Sequence, residues 1–137
     1  MSVYVDANVL VALFVPDALS NRASAMLAAL SDPIVISDLA ALEAASAIAR
    51  MVRTKELSAA AANQALANFD AWLATQNRLD IRPADVTAAG LFVRRFEINL
   101  HGADALHAAM AARAGASLLT LDAKMKANAR KAGLAVI

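Results

Sequence analysis

The chain is expected to fold as an α/β domain, a central parallel sheet flanked by helices, and three observations carry that expectation. Short apolar runs alternate with longer stretches of helical composition, the order that builds a parallel sheet through crossover helices. The runs Ile34-Val35-Ile36 and Leu118-Leu119-Thr120-Leu121 show no polar alternation, as strands covered on both faces require. Directly after such runs come Ser37 with Asp38, and Asp122, residue types that start helices off strand ends.

Taken in order, Ser2 to Val5 reads as the first strand, and the residues from Asp6 to about Phe14 as a short apolar helix that Pro16 ends. Ser20 to Leu30 forms a second helix, and Ser31, Asp32 and Pro33 turn into the strand Ile34–Ile36. Ser37 and Asp38 cap a helix running to about Arg53, and Ser58 opens another that reaches Trp72 or Leu73. Leu79 to Ile81 is a weak third strand, and Asp85 to Phe96 a further helix. From Leu100 to Asp122 come a loop, a helix with Asp104 in its first turn, a short connection and the clearest late strand. Ala123 to Ala132 closes as a helix with Gly133 at its C-terminal cap, and Leu134 to Ile137 is the last strand. No repeat, low-complexity linker or domain boundary interrupts this order, so residues 1–137 read as one domain with one substantial core.

Composition excludes several classes. Of the residues, 60% are hydrophobic, but many are alanines, and no uninterrupted run reaches the roughly 20 apolar residues that a membrane span needs. The apolar N-terminal stretch lacks a basic leader and carries Asp6 and Asn8, which argues for a strand and helix rather than a signal peptide. Absence of cysteine removes disulfides, thiolate metal sites and cysteine nucleophiles, and fits a cytoplasmic protein. With 13 basic and 12 acidic residues the net charge is only +1, so no global polyanion-binding signature exists.

Four acids are the candidates for chemistry. Asp6 and Asp122 follow strands, Asp104 opens a helix, and Glu43 lies about two turns into the helix after the second strand. In an open α/β sheet, ligands bind beyond the carboxyl ends of the strands, near helix N-termini. Each acid also has a plain structural use. Asp in a first turn complements the helix dipole, and Asp122 can cap the next helix. Glu43 has no i,i+4 partner, because Leu39 and Ala47 occupy those positions. Carboxylates crowded together would raise one another's pKa, since a like-charge pair at about 4 Å costs about 4 kcal/mol at an effective dielectric of about 20. A shared cation relieves this, and oxygen-only ligands suit Mg²⁺ or Mn²⁺ better than Zn²⁺. Such a site would activate a water for attack on a phosphodiester.

The segments VDANVLVALF, SDLAALEAASAIAR and ADALHAAMAARAGASLLTLDAKMKANARKAGLAVI together make the chain similar to PIN-domain ribonucleases of the toxin-antitoxin (VapC) type. By that resemblance the family's four acids fall on Asp6, Glu43, Asp104 and Asp122, and its polar supporting positions on Asn8, Ser37 and Thr120. The resemblance implies an α/β/α sandwich, a Mg²⁺- or Mn²⁺-dependent endoribonuclease acting on RNA, homodimerisation and inhibition by a cognate antitoxin. Some relatives carry a further acid two residues beyond the last Asp. Here that position is Lys124, so a second metal would be loosely held.

His101 and His107 are not at the i,i+4 spacing of a helical metal pair, and structural or surface roles are expected for both. His107 lies one turn from Asp104 on the same face and is at most a hydrogen-bond partner of the site. Asn8 either serves the Asp6 site or caps the first helix, Ser37 is a cap rather than a nucleophile, and Thr120 orients Asp122 or a ligand. If four acids are taken up by a metal, the 13 bases outnumber those that remain. Arg94, Arg95, Lys124 and Lys126 then offer a basic rim to the phosphates of RNA, although basic residues also suit helix C-termini. Two rival readings stand beside the nuclease, a phosphoacceptor signalling domain and a catalytically idle PIN binding module. Asp6 lacks the acidic neighbour expected of the first.

Overall fold

A computed structural model describes all of residues 1–137. In chain order the elements are β1 (Val3–Val5), α1 (Ala7–Phe14), α2 (Ser20–Ala28), β2 (Ile34–Ser37), α3 (Asp38–Arg53), α4 (Ala59–Leu73), β3 (Asn77–Leu79), α5 (Pro83–Val93), α6 (Gly102–Arg113), β4 (Ser117–Leu119) and α7 (Ala123–Lys131). The four strands form one sheet in the order β3-β2-β1-β4, every pair parallel. Because β1 is central, it is buried along its whole length.

Alternation along the strands sorts the helices into layers. Tyr4, Val35 and Leu118 point to one face, where they pack with Ala105, Ala108 and Met110 of α6 and with Met125 and Ala129 of α7. Val3, Val5 and Ile36 point to the other, against Val9 and Leu10 of α1, Ala40 and Ala44 of α3, and Phe69 of α4. Each large apolar side chain so buried contributes about 2 kcal/mol. The alanines let α3 and α6 lie close to the sheet, which is why their first turns can deliver side chains to its carboxyl edge. Trp72 packs on Phe14 and Phe69, as a core residue and not an exposed stacking platform.

Three sequence expectations need correction. The third strand is Asn77–Leu79, not Leu79–Ile81. Its pairing to Val35–Ser37 ends at Leu79, since the carbonyl of Asp80 is taken by Arg113 and Pro83 opens α5 just beyond. That helix therefore starts at Pro83 rather than Asp85, with proline in the first turn, where its missing N–H costs nothing. It ends at Val93, and Phe96 stands 94% exposed. The final strand is only a single parallel bridge, Leu118 to Val136. The cap at Gly133 does form, with φ +93° and a Leu134 N–H bond to the carbonyl of Ala129.

Asp85, expected only to open a helix, fastens α5 to α6. Its Oδ2 accepts the backbone N–H of Arg82 at 2.8 Å. Arg113 grips both of its oxygens, Nε to Oδ1 at 2.6 Å and Nη2 to Oδ2 at 3.0 Å. Asp85 is 2% exposed, and the Arg113 hydrogen bonds hold its carboxyl below the usual aspartate range despite its burial. Asp85→Ala leaves a partly buried guanidinium without its partner and is expected to destabilise the fold by about 3 kcal/mol in denaturant titration. The sign of the pH effect follows from the lowered pKa. The stabilisation is complete above the unfolded value of about 4 and is lost as pH falls through the lower folded value. Acid unfolding of Asp85→Asn should accordingly be shallower than that of wild type; an identical acid limb would refute the ion pair's contribution.

Candidate active site

The carboxyl edge of the sheet gathers side chains from segments far apart in the chain. Asp6 follows β1 and caps α1, Oδ1 accepting the Ala7 N–H at 2.7 Å. Its Oδ2 accepts from the Thr120 hydroxyl at 2.7 Å and from Asn8 Nδ2 at 3.2 Å. Asn8 also bonds Thr120 at 3.0 Å, and its Oδ1 accepts the Leu121 N–H at 3.0 Å. Thr120 Oγ1 in turn accepts the Asp122 N–H at 3.1 Å. Asn8 and Thr120 thus sew the end of β1 to the end of β4 and set Asp6 against Asp122. Asn8 is not the helix cap, because Asp6 takes that place.

Ser37 caps α3 through the Ala40 N–H at 2.9 Å. One and a half turns on, Glu43 points back over the edge, with Oε2 2.9 Å from His107 Nε2. His107 belongs to α6 and is buried, and its Nδ1 lies 2.6 Å from the Tyr4 hydroxyl, itself 2.6 Å from Ser37 Oγ. The histidine is therefore the centre of the site's buried scaffold, the hydrogen-bond partner that the sequence allowed and not a surface residue. Only its one-turn offset from Asp104 pointed there; Tyr4, hidden in an apolar strand, gave no signal.

Hydrogen-bond partners fix the imidazole's protons. A carboxylate faces Nε2, so Nε2 carries a hydrogen and donates to Glu43; the opposite tautomer would set a lone pair against the carboxylate. With His107 neutral, Ser37 donates to Tyr4 and Tyr4 to Nδ1. With His107 charged, Nδ1 donates to Tyr4 and Tyr4 to Ser37. Burial disfavours the charged imidazole, but Glu43, Asp6 and Asp104 together raise its pKa above the ordinary histidine range. Burial also pushes the Tyr4 phenol far above its ordinary value, keeping it a neutral donor and acceptor.

Asp6, Glu43 and His107 bring ligating atoms within 4.8 Å of one another. Asp104, in the first turn of α6, and Asp122, which caps α7 through the N–H groups of Lys124 and Met125, stand outside that closest set. Asp104 still senses it. Burial first, then the charges of Asp6, Asp122 and Glu43, raise the Asp104 carboxyl above the usual aspartate range, against the pull of His107. His101 caps nothing with its side chain and is exposed. Arg94 ends α5 and borders Gly102 across a shallow groove, Arg95 pairs with Glu97, and Lys124 and Lys126 lie in the first turn of α7 beside Asp122.

A four-stranded parallel sheet between two helical layers, with acids from distant segments converging on one edge, defines an acidic-site α/β domain. The chain belongs to the PIN domain family, whose model matches residues 3–131. Among solved structures it is similar to the VapC20 toxin of Mycobacterium tuberculosis, described as cleaving the sarcin-ricin loop, at 20% identity over 96% of this chain and 95% of that one, TM-score 0.72. It is also similar to VapBC2 from Rickettsia felis bound to a promoter DNA fragment, at 18% identity, coverage 100% and 98%, TM-score 0.72. A third is FitAcB from Neisseria gonorrhoeae, at 18% identity, coverage 100% and 96%, TM-score 0.74. No curated protein matches. At these identities the solved structures show the fold alone. No helix is long and apolar enough to cross a membrane.

Proposed function

We propose that the protein is a metal-dependent endoribonuclease and the toxin of a toxin-antitoxin pair, working in the cytoplasm. The observation that carries this reading is the convergence of Asp6, Glu43, Asp104 and Asp122, with the Asp104 carboxyl raised by burial and by the charges of the other three. The donor set fits Mg²⁺ or Mn²⁺, because the four acids offer only carboxylate oxygens and His107 Nε2, the one nitrogen beside them, is turned to Glu43 at 2.9 Å. When bound, such a cation polarises the scissile phosphate and lowers the pKa of the attacking water. The chain's own residues do the positioning. Thr120 and Asn8 hold Asp6, His107 holds Glu43, and the α7 N-terminus holds Asp122 while leaving its other oxygen free. Arg94, Arg95, Lys124 and Lys126 are the proposed phosphate contacts at the rim.

The toxin reading is supported by the recurrence of VapC, VapBC and FitAB proteins among the structural neighbours. A cognate antitoxin would inhibit by sending an arginine to the carboxylates in place of the cation, as a bidentate charge pair. We propose a homodimer contact on the α5–α6 face, where the exposed Val86 and Val93 border one groove with Leu106. Sedimentation showing a monomer at micromolar concentration would remove that contact.

Purified protein freed of antitoxin is expected to cut RNA internally in Mg²⁺ or Mn²⁺ and to stop in EDTA. Cleavage that survives chelation would sink the mechanism. Labelling by acetyl phosphate would favour the phosphoacceptor alternative instead.

A further inference from the structure

A groove of about 320 Å³ leads away from Glu43 between α1 and α3, bordered by Asn8, Ser46, Ala47, Arg50 and Arg53. Glu43, Ser46, Ala47, Arg50 and Arg53 follow one another at i, i+3, i+4, i+7 and i+10, so they form one stripe along α3. Arg50 stands about 10 Å and Arg53 about 15 Å along the axis from Glu43. Both arginines are exposed, and neither takes part in any of the chain's ion pairs. Their place in the last turns of α3 suits the helix dipole. The dipole does not explain why both border the groove that begins at a site acid.

We infer that this groove is the path of the RNA strand beside the site, with Arg50 and Arg53 binding phosphates that flank the scissile one. The inference rests on the nuclease reading and adds a second set of basic contacts, separate from Arg94 and Lys124. Guanidinium groups suit phosphate by offering paired donors in one plane. Ser46 and Ala47 are small enough to let a sugar-phosphate backbone lie along α3 between Glu43 and the arginines. The apolar lining is limited to Ala7, Val11 and Ala47, which provides none of the deep pockets that a helical peptide's large anchors need. That favours a nucleic-acid strand over a protein segment.

The test uses the full-length chain and a fluorescein-labelled single-stranded RNA. Anisotropy is read in Ca²⁺ over a salt series, beside cleavage kinetics in Mn²⁺. Arg50→Ala with Arg53→Ala is expected to weaken RNA binding about tenfold and to flatten the slope of log K against log salt by about 1.4, or about 0.7 per phosphate contact. KM should rise while kcat stays within about twofold, as loss of uniform binding requires. The double Arg→Lys variant should keep most of the affinity. Unchanged affinity and slope in the alanine variant overturn the inference. If antitoxin affinity falls in that variant while RNA binding does not, the groove belongs to a protein partner and the inference is equally overturned. Wild-type protein that binds RNA through these arginines but never cuts it would reject the nuclease reading and leave the groove assignment standing.

Discussion

Asp104→Asn is expected to lower RNA cleavage by orders of magnitude while leaving the metal-free protein at least as stable as wild type. The two effects have separate causes. Burial and three neighbouring acids raise the Asp104 carboxyl, against the roughly 0.3–1 kcal/mol that an acid gains in a first helical turn. A raised carboxylate pKa means the native state binds more protons than the unfolded chain between the unfolded value near 4 and the folded one. Metal-free stability therefore falls as pH rises through that window and stays lower above it. Asparagine keeps the shape and removes the charge, so the apo variant loses this penalty at neutral pH. It also loses a ligand oxygen's charge. The Mg²⁺-linked stabilisation, about 1.4 kcal/mol at ten times the dissociation constant for one site, should shrink. Thermal unfolding of both proteins in EDTA and in Mg²⁺ reads all of this. Destabilisation of the apo variant by more than about 1 kcal/mol would make Asp104 a helix-terminus residue instead. An unchanged Mg²⁺ response would remove it from the site.

His107→Ala should be damaging in a different pattern. The imidazole is 1% exposed and joins β1, α3 and α6 through Tyr4 and Glu43. Its removal leaves a cavity and strips a partner from each, an expected loss of about 3 kcal/mol. Because Nε2 donates to Glu43 rather than to a metal, cleavage by the folded variant should fall about 10- to 100-fold, the usual cost of losing a residue that orients a ligand, and less than for Asp104→Asn. Tyr4→Phe removes only the hydroxyl that bonds Nδ1 and should cost about 1 kcal/mol with a smaller activity loss. Titration with Mn²⁺ separates the roles. Metal binding abolished as completely by His107→Ala as by Asp6→Asn would make the imidazole a ligand, and activity unchanged in folded His107→Ala would deny it any part in the site.

Much of this protein is set by local sequence. The alternation of buried apolar runs with alanine-rich helices determined a parallel α/β sheet. The short caps at Ser37 and Asp122 fixed where helices leave strands, because capping is decided within three residues, whereas the cap of α1 proved to be Asp6 and not Asn8. Spacing, read with the family resemblance, also put the four acids forward as candidates, since each sits at a strand end or early in a helix, where parallel topology can bring it toward one edge. The weak elements were misread for a tertiary reason. The edge strand ends at Leu79 because Arg113, far along the chain, claims the Asp80 carbonyl and the Asp85 carboxylate. The last strand shrinks to a bridge at Val136, where β4 itself spans only three residues. Which acids share the closest set, and what orients them, lay wholly beyond the sequence. The contacts among Tyr4, Ser37, Glu43 and His107 cross 33, 64 and 103 residues, and only packing of α3 and α6 on opposite faces of one sheet brings them into hydrogen-bonding range.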